Sequence, residues 1–246
     1  MRFAAIADVH GNYLALQAVL ADIRGQGIDD IVNLGDMASG PLDARRTLDI
    51  MMGLDATCVR GNHDRYLTDH KPEDMYPSDR FSHGQLEEKH LDWLRALPFA
   101  TVYRDSVYLC HATPSDDNTY WLEAVTPDGV MHMASIEGIE DKAKGIEQSL
   151  ILCAHSHIPR AVKLRDGRTI VNPGSVGCPG YRDVAPFPHI METGTPDASY
   201  AILDGGSDGW QVTFRQVPYD HDAMARLARH NGRPEWASAL ATGWIR

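Results

Sequence analysis

The sequence predicts an α/β protein with a parallel β-sheet near its N-terminus. Three βα units lie within the first 65 or so residues, where apolar strand-like runs alternate with segments of helical periodicity. Such units join parallel strands through right-handed crossovers. At 246 residues and 43% hydrophobic content, the chain fits one large domain over residues 1–246, although two small domains would also fit its length.

The first third of the chain alternates strictly between the two kinds of element. Residues 2–7 form a short apolar run, after which apolar residues recur at helical spacing from Leu16 to Ile23. The pattern then repeats with a second strand and a helix that opens at a proline. The predicted elements are strands at 2–7, 30–34 and 56–59, a helix after Gly11 and a helix that opens at Pro41.

The middle of the chain changes to an antiparallel pattern. An amphipathic helix ends at Pro98 and a hairpin follows it, while Asp166-Gly167 is typical of a tight turn. Residues 177–197 are rich in Pro and Gly without periodicity, so we expect a long surface loop there. The remaining predictions are helices at 86–97, around 131–146 and after Asp220, and strands at 99–103, 107–110, 150–153, 161–164, 169–171, 199–203 and 210–217.

Charge and cysteine content narrow the class of protein. The formal net charge is −11, from 34 acids and 23 bases, which disfavours nucleic acid as a partner. The four cysteines are scattered without a C-x-x-C pair, so we expect reduced, structural thiols. No stretch approaches the roughly 20 apolar residues of a membrane span, and the N-terminus lacks a secretory signal pattern. We therefore expect a cytoplasmic protein that does not bind membranes.

Polar side chains follow the ends of several predicted strands, where ligands bind in open α/β sheets. If extended geometry continues past residue 153, His155 and His157 face one shared space. Any single motif of this kind is more often a helix cap or a hydrogen-bonded core histidine, but five on five strand ends indicate one site. The motifs are Asp8-Val9-His10, Gly35-Asp36, Gly61-Asn62-His63-Asp64, His111 and His155-Ser156-His157.

The order of these motifs resembles the calcineurin-like metallophosphoesterase superfamily, whose pattern is D-x-H, G-D, G-N-H-[DE], H and G-H-x-H. The resemblance runs from residue 3 to about residue 177 and, through residues 172–177, extends to the compact prokaryotic phosphodiesterase branch. It implies a sandwich of two mixed β-sheets flanked by helices. One departure is Ala154 in place of a glycine, which affects backbone freedom rather than metal binding.

The resemblance also implies a site for two divalent metal ions. Asp36 would bridge them, since a carboxylate has two oxygens and can join cations roughly 3.5 to 4 Å apart. Imidazole, carboxylate and amide ligands without thiolate suit transition metals, with Mn²⁺ expected first and Fe, Ni²⁺, Co²⁺ or Zn²⁺ as alternatives. Two carboxylates against two such ions leave about +2, which would attract phosphate. One ion would be held by Asp8, His10, Asp36 and His157, and the other by Asp36, Asn62, His111 and His155.

The predicted catalytic residues are His63 and Asp64. Neighbours on an extended segment point apart, so His63 cannot easily be a ligand if Asn62 is one. The resemblance makes His63 the group that stabilises or protonates the leaving oxygen, with Asp64 orienting its imidazole. Asp64 could equally cap the helix that follows, and the two roles are compatible.

Other polar residues carry weaker signals. Asn12 is more typical of a helix cap than of a substrate contact. Arg65 and Arg182 could pair with phosphate oxygens, although isolated arginines are more often solvated or structural. Residues of the predicted loop that a substrate could meet are Tyr181, Phe187 and His189.

The predicted function is metal-dependent hydrolysis of a small phosphate ester, with a phosphodiesterase expected first and a hydroxide between the ions as nucleophile. A dinucleotide polyphosphate hydrolase or a Ser/Thr protein phosphatase is the alternative within this class. A non-catalytic scaffold of the same fold is a second class. Such a scaffold would be expected to have lost several ligands or His63, and all of them are present. A nuclease is disfavoured by the acidic charge.

Overall fold

The computed structural model describes residues 1–207 and 209–246, which contain both strands and helices. The strands are β1 (Arg2–Ile6), β2 (Ile31–Asn33), β3 (Ala56–Cys58), β4 (Ala100–Tyr103), β5 (Val107–Cys110), β6 (Glu123–Val125), β7 (Met131–Met133), β8 (Leu150–Leu152), β9 (Arg160–Lys163), β10 (Thr169–Asn172), β11 (Gly180–Asp183), β12 (His189–Glu192), β13 (Ala198–Gly206) and β14 (Gly209–Val217). The α-helices are α1 (Tyr13–Gly25), α2 (Ala44–Met52), α3 (Asn62–Asp69), α4 (Pro77–His83), α5 (Glu88–Ala96), α6 (Ile136–Lys142), α7 (His221–His230) and α8 (Pro234–Thr242).

Two five-stranded sheets form the centre of the molecule. The first has the order β14-β13-β1-β2-β3 and the second the order β4-β5-β8-β10-β9. The neighbours β1, β2 and β3 run parallel, as do β5, β8 and β10, while β13, β14, β4 and β9 pair antiparallel with their neighbours. Both sheets are therefore mixed, which confirms the predicted α/β sandwich. Parallel neighbours end at the same edge, so the loops that follow them meet there.

Alternation along β1 shows how the layers are assembled. Phe3 and Ala5 pack between the two sheets, against residues such as Leu109 and Leu152 of the second sheet. Ala4 and Ile6 point the other way, into the cluster that α1, α2 and α5 bury on the outer face of the first sheet. This two-residue period is what a strand covered on both faces requires.

Side-chain caps fix where several helices begin. Asn12 Oδ1 accepts the backbone N–H of Ala15 at 3.1 Å, which starts α1 and agrees with the cap interpretation of Asn12. Asp43 Oδ1 accepts the N–H of Arg46 at 3.0 Å. Because this cap satisfies an N–H group of the first turn, α2 starts at Ala44 and not at Pro41 as the sequence suggested.

Two sequence predictions of local structure were wrong. Residues 177–197 are not a structureless loop, because β11 and β12 pair as an antiparallel hairpin that buries Met191. Residues 131–146 are not one helix. Their first part, β7, pairs with β6, and α6 begins only after Ser135, whose side chain accepts the N–H of Gly138 at 3.2 Å.

The remaining elements complete the surface of the sandwich. α6 and Trp121 cover the outer face of the second sheet, while α7 and α8 pack on Leu42. The four cysteines are buried and free. Among the helices of the described residues, none combines the length and apolar character needed to cross a bilayer.

Candidate metal centre

The seven predicted metal ligands lie together at one edge of the sandwich. Each one follows a strand that has a parallel neighbour, so the sheets bring them to the same edge. The first sheet supplies Asp8 and His10 after β1, Asp36 after β2 and Asn62 after β3, and the second supplies His111 after β5 and both His155 and His157 after β8.

Asp8, His10 and His157 form the first cluster, in which one ligand atom of each residue lies within 4.8 Å of the others. The Nε2 atoms of His10 and His157 are 3.2 Å apart, and His157 Nε2 is 3.6 Å from Asp8 Oδ1. The two Nδ1 atoms each lie 2.7 Å from a backbone carbonyl, of Ser39 and Cys178. A carbonyl only accepts, so each Nδ1 carries the hydrogen and each Nε2 presents a lone pair. Two facing lone pairs repel each other, and a cation bound between them would remove that repulsion.

Asp36, His111 and His155 form the second cluster, again with ligand atoms within 4.8 Å of one another. His111 Nε2 lies 3.3 Å from Asp36 Oδ2 and 3.0 Å from Oδ1 of Asn62. His111 Nδ1 donates to the carbonyl of Leu34 at 2.7 Å, and His155 Nε2 donates to that of Asn118 at 2.9 Å. Backbone carbonyls thus orient both rings, as they do around many metal sites.

Asp36 lies between the two clusters. Its Oδ2 is 3.3 Å from Nε2 of His111 in one cluster and 4.0 Å from Nε2 of His10 in the other. Its Oδ1 accepts the backbone N–H of His63 at 2.9 Å, which fixes the carboxylate plane. A carboxylate in this position can be shared by two cations.

Left-handed backbone conformations are concentrated at the site. Five of the seven ligands have positive φ, namely Asp8 (54°), His10 (50°), Asp36 (57°), His155 (70°) and His157 (61°). The extended geometry considered for residues 155–157 was therefore wrong, and the two histidines belong to different clusters. Such conformations cost about 1 kcal/mol or more each and persist only where the surroundings enforce them. Hydrogen bonds between neighbouring loops do so here, for example from the N–H of His10 to the carbonyl of Asp36 at 3.1 Å.

The carboxylate of Asp8 is fully buried, and neither of its oxygens has a hydrogen-bond partner of ordinary geometry among the described residues. Burial raises the pKa of Asp8 well above its usual value, although the charge of His111 and the nearby backbone N–H of His155 act against this rise. A buried carboxylate without partners is unfavourable in the free protein and is well suited to a cation.

The imidazole of His63 is held by Asp79 and not by Asp64. His63 Nδ1 lies 2.7 Å from Asp79 Oδ1, and that oxygen also accepts the Ser39 hydroxyl at 2.5 Å. Burial lowers the pKa of His63, but the charges of Asp36 and Asp79 and the hydrogen bond to Asp79 outweigh it and raise the pKa to about 9. His63 is also the more accessible part of the site, since its side chain is 28% exposed.

Asp64 has the structural role that the sequence left open. Its carboxylate accepts the backbone N–H groups of Asp36 at 2.8 Å, Met37 at 3.0 Å and Gly61 at 3.1 Å. The bond to Gly61 caps α3, and the other two hold the loop that carries Asp36. Burial and the charge of Asp36 raise the pKa of Asp64 to about 6, against the effect of these amide bonds.

The weaker candidates occupy varied positions. Arg65 is held by two bonds of 2.7 Å to Asp117, and Arg182 is exposed on β11. Tyr181 lies against the site, with its ring 4.6 Å from that of His157 and its hydroxyl donating to the carbonyl of His155 at 3.1 Å. Phe187 is exposed, and buried His189 lies 2.9 Å from the hydroxyl of Tyr120.

Sequence reasoning missed three residues that border the site. Asp79 carried no motif signal, although a proline at Pro77 is typical of a helix start and would have located α4. Tyr66 lies one turn after His63 and their rings are 5.4 Å apart. The ring of Trp236 in α8 lies 5.9 Å from that of His10. The two residues are far apart in sequence, so no local pattern predicts this contact.

Comparison with known proteins assigns the family. Residues 1–204 match the model of the calcineurin-like phosphoesterase superfamily domain. The chain belongs to this superfamily. The assignment confirms the resemblance drawn from the motifs and supports metal-dependent hydrolysis of phosphate esters by this phosphoesterase.

Similar proteins extend over nearly the whole phosphoesterase. An uncharacterised protein of Methanocaldococcus jannaschii is 27% identical over 255 aligned positions, which cover 95% of this chain and 94% of that one. The crystal structure of a metallophosphoesterase from Sphaerobacter thermophilus superposes with a TM-score of 0.76 at 26% identity, covering 99% of both chains. A hypothetical protein of Pyrococcus horikoshii shares the fold, with a TM-score of 0.74 at 19% identity over 100% of this chain and 99% of that one.

Proposed function

We propose that this phosphoesterase is a phosphodiesterase that uses two divalent metal ions, one at each cluster. The observation that carries the proposal is the pair of lone-pair nitrogens of His10 and His157, 3.2 Å apart, beside the unpartnered carboxylate of Asp8. Asp36 lies between the clusters and would be the shared ligand. The donor set contains no thiolate and suits Mn²⁺ or a related transition metal.

The residues present fit two metal ions: the ions would act on the substrate and water, and backbone carbonyls orient the imidazole ligands. When bound, the two ions would supply positive charge for the phosphate oxygens and lower the pKa of water toward neutrality, so that water can attack phosphorus. Carbonyl oxygens of Ser39, Leu34 and Cys178 hold the imidazoles with Nε2 toward the clusters. The protein thus fixes the ligands before substrate arrives.

His63 is proposed to protonate the leaving oxygen. Asp79 fixes its ring from one side through Nδ1, which leaves Nε2 as the atom that can deliver a proton. Without bound metal the pKa of His63 is raised to about 9, and the carboxylate of Asp79 favours the protonated ring. Delivery of that proton to the departing alkoxide neutralises the charge that develops when the P–O bond breaks.

Local charge favours a single phosphate over a polyphosphate. A dinucleotide polyphosphate brings several negative charges, which would need basic side chains in addition to the ions. Arg65, the arginine nearest to His63 in sequence, is already neutralised by its two bonds to Asp117. We therefore rank a diester first and the polyphosphate hydrolase or protein phosphatase second.

Turnover with defined metals tests the proposed function. Protein loaded with Mn²⁺ should hydrolyse bis-p-nitrophenyl phosphate, and Asp36→Asn should lose both metal and activity, whereas the exposed control Asp222→Asn should keep both. His63→Ala should retain metal by elemental analysis while turnover falls about 10² to 10⁴-fold. The matched control is His230→Ala, at an exposed end of α7. Lack of hydrolysis with every divalent metal tried would favour the scaffold.

A further inference from the structure

A chain of aromatic rings leads from His63 to the protein surface. The ring of Tyr66 lies 5.4 Å from that of His63, 4.9 Å from His70 in a stacked arrangement, and 5.9 Å from Tyr76. We call Tyr66, His70 and Tyr76 the aromatic shelf. The shelf begins at the residue proposed to face the leaving oxygen.

Hydrogen bonds and packing hold the inner part of the shelf in place. The hydroxyl of Tyr66 donates to the side-chain oxygen of Asn118, whose backbone carbonyl accepts from His155. The guanidinium of Arg65 lies 4.8 Å from the centre of the Tyr66 ring and is itself held by Asp117. Tyr66 is thereby fixed relative to the second cluster, and a ring that is already fixed loses little entropy when a ligand packs on it.

The outer ring of the shelf is open to solvent. Tyr76 is 63% exposed, an unusual degree for a large aromatic side chain that lies beside another ring. It precedes Pro77 at the start of α4, the helix that carries Asp79. The same short segment therefore places Asp79 on His63 and Tyr76 on Tyr66, the ring beside His63.

We propose that the aromatic shelf binds a planar aromatic ring on the leaving group of the phosphodiester. The inference rests on the proposed function, because it takes His63 as the group that protonates the leaving oxygen. A proton donor must lie within hydrogen-bond reach of that oxygen, so the group attached to it lies close to His63. The rings of Tyr66 and Tyr76 lead from there to the solvent. Stacking on aromatic side chains tolerates any ring with a π face, and nucleosides and aryl alcohols share this chemistry.

Three methyl phosphodiesters distinguish the sources of the ring. They are the esters of adenosine 5′-phosphate, of benzyl phosphate and of ribose 5-phosphate, each assayed with the Mn²⁺-loaded full chain by chromatography of the released alcohol. We expect KM for the adenosine or benzyl ester to be at least about fivefold below that of the ribose ester. The better of the two aromatic esters identifies a nucleoside or an aryl alcohol as the source, and equal KM values for all three overturn the shelf.

Tyr76→Ala tests the shelf itself, since this exposed residue makes no side-chain hydrogen bond at the start of α4. In this variant the ratio of the KM for the ribose ester to that for the preferred aromatic ester should fall at least about fivefold. Phe214→Ala, which removes an aromatic ring 38% exposed on β14, should leave the ratio unchanged. A ratio unaffected by Tyr76→Ala, with all esters still hydrolysed, overturns the inference but not the proposed function.

A binding measurement tests the aromatic shelf independently of turnover. If no ester were hydrolysed with any metal, that result would refute the proposed function but not the shelf. Calorimetric titration should show adenosine 5′-phosphate or benzyl phosphate binding at least about fivefold more tightly than ribose 5-phosphate to the Mn²⁺-loaded chain. Tyr76→Ala should remove this preference. Equal affinities in the unmodified chain would contradict the inference.

Discussion

At the scale of single residues, the site is defined by buried polar groups without hydrogen-bond partners for their lone pairs. The carboxylate of Asp8 has no hydrogen-bond partner of ordinary geometry within the described chain, and His10 and His157 direct lone pairs at each other. The motifs at the strand ends predicted that these side chains meet, and the superfamily that the motifs resemble predicted their role as ligands. They could not predict Asp79, since its contact with His63 depends on how α4 packs rather than on any local pattern.

The pairing of His63 with Asp79 predicts a change in pH dependence. Loss of the Asp79 charge removes one cause of the raised pKa of His63, so the ring releases its proton at lower pH. In the proposed mechanism turnover needs protonated His63, so kcat should fall as pH rises through this pKa, and Asp79→Asn should move that descending limb to lower pH. The freed ring should also reduce kcat, by up to about a hundredfold.

The measurement is kcat against pH with metal content checked at each point. Asp74→Asn, an exposed carboxylate in the turn before α4, is the control and should keep the wild-type profile. An unchanged descending limb in Asp79→Asn would show that Asp79 does not set the protonation of His63.

At the scale of elements, loops that cross-link strand ends determine the site. The N–H of Gly177 donates to the carbonyl of Asp8 at 3.0 Å, and the hydroxyl of Ser175 donates to the same carbonyl at 2.7 Å. Regular periodicity predicted the strands and the long helices, but not these hydrogen bonds between the loops. The hairpin of β11 and β12 was missed because its strands have four residues each and are separated by prolines, which resemble loop composition.

Gly177→Ala should damage this cross-link. A Cβ at Gly177 would lie 1.8 Å from the carbonyl oxygen of Val9, so the loop after β10 or the loop after β1 must move. We expect the free energy of unfolding to fall by about 3 kcal/mol or more, with weaker metal binding because Asp8 and His10 shift.

Urea denaturation and metal titration measure both effects. Gly25→Ala is the matched control, since nothing lies within 4 Å of its Cβ position and it ends α1 without positive φ. Equal denaturation midpoints for the two variants would contradict the cross-link.

At the scale of the whole molecule, the site joins the two sheets. Asp8, His10, Asp36 and Asn62 come from the first sheet, while the other three ligands come from the second. The C-terminal helices also pack onto Leu42, between the loop of Asp36 and α2, and we therefore propose residues 1–246 as one domain. The chain is acidic as a whole, with a net charge of −11, so bound cations would reduce repulsion as well as link the sheets.

Metal should therefore stabilise the entire fold. At Mn²⁺ about 100-fold above its dissociation constant, binding to the native state alone adds about 2.7 kcal/mol, which corresponds to a rise in Tm of about 5 to 10 °C. Calorimetry in Mn²⁺ and in a chelator measures this difference. Coincident melting curves would contradict metal binding by the native state.

Asp8→Asn should separate the loss of folding stability caused by the buried carboxylate from its contribution to metal binding. The pKa of Asp8 is raised in the folded protein, so the native state binds more protons than the unfolded chain and metal-free stability falls as pH rises. The variant removes this loss. Without metal it should melt above the wild type, by a margin that grows as pH rises above the ordinary carboxyl pKa of 3.8, and it should gain little from Mn²⁺.

Because the predicted ligands come from both sheets, bound ions would link the sheets at the edge that carries the site and leave the opposite edge unlinked. With ions bound, the sheets could separate at the site only after coordination broke. Local opening would therefore begin at the edge opposite the site. Amide hydrogens at the start of β1, near Arg2, would then exchange long before those of the buried turn at Asp36, although this turn follows a strand of the same sheet.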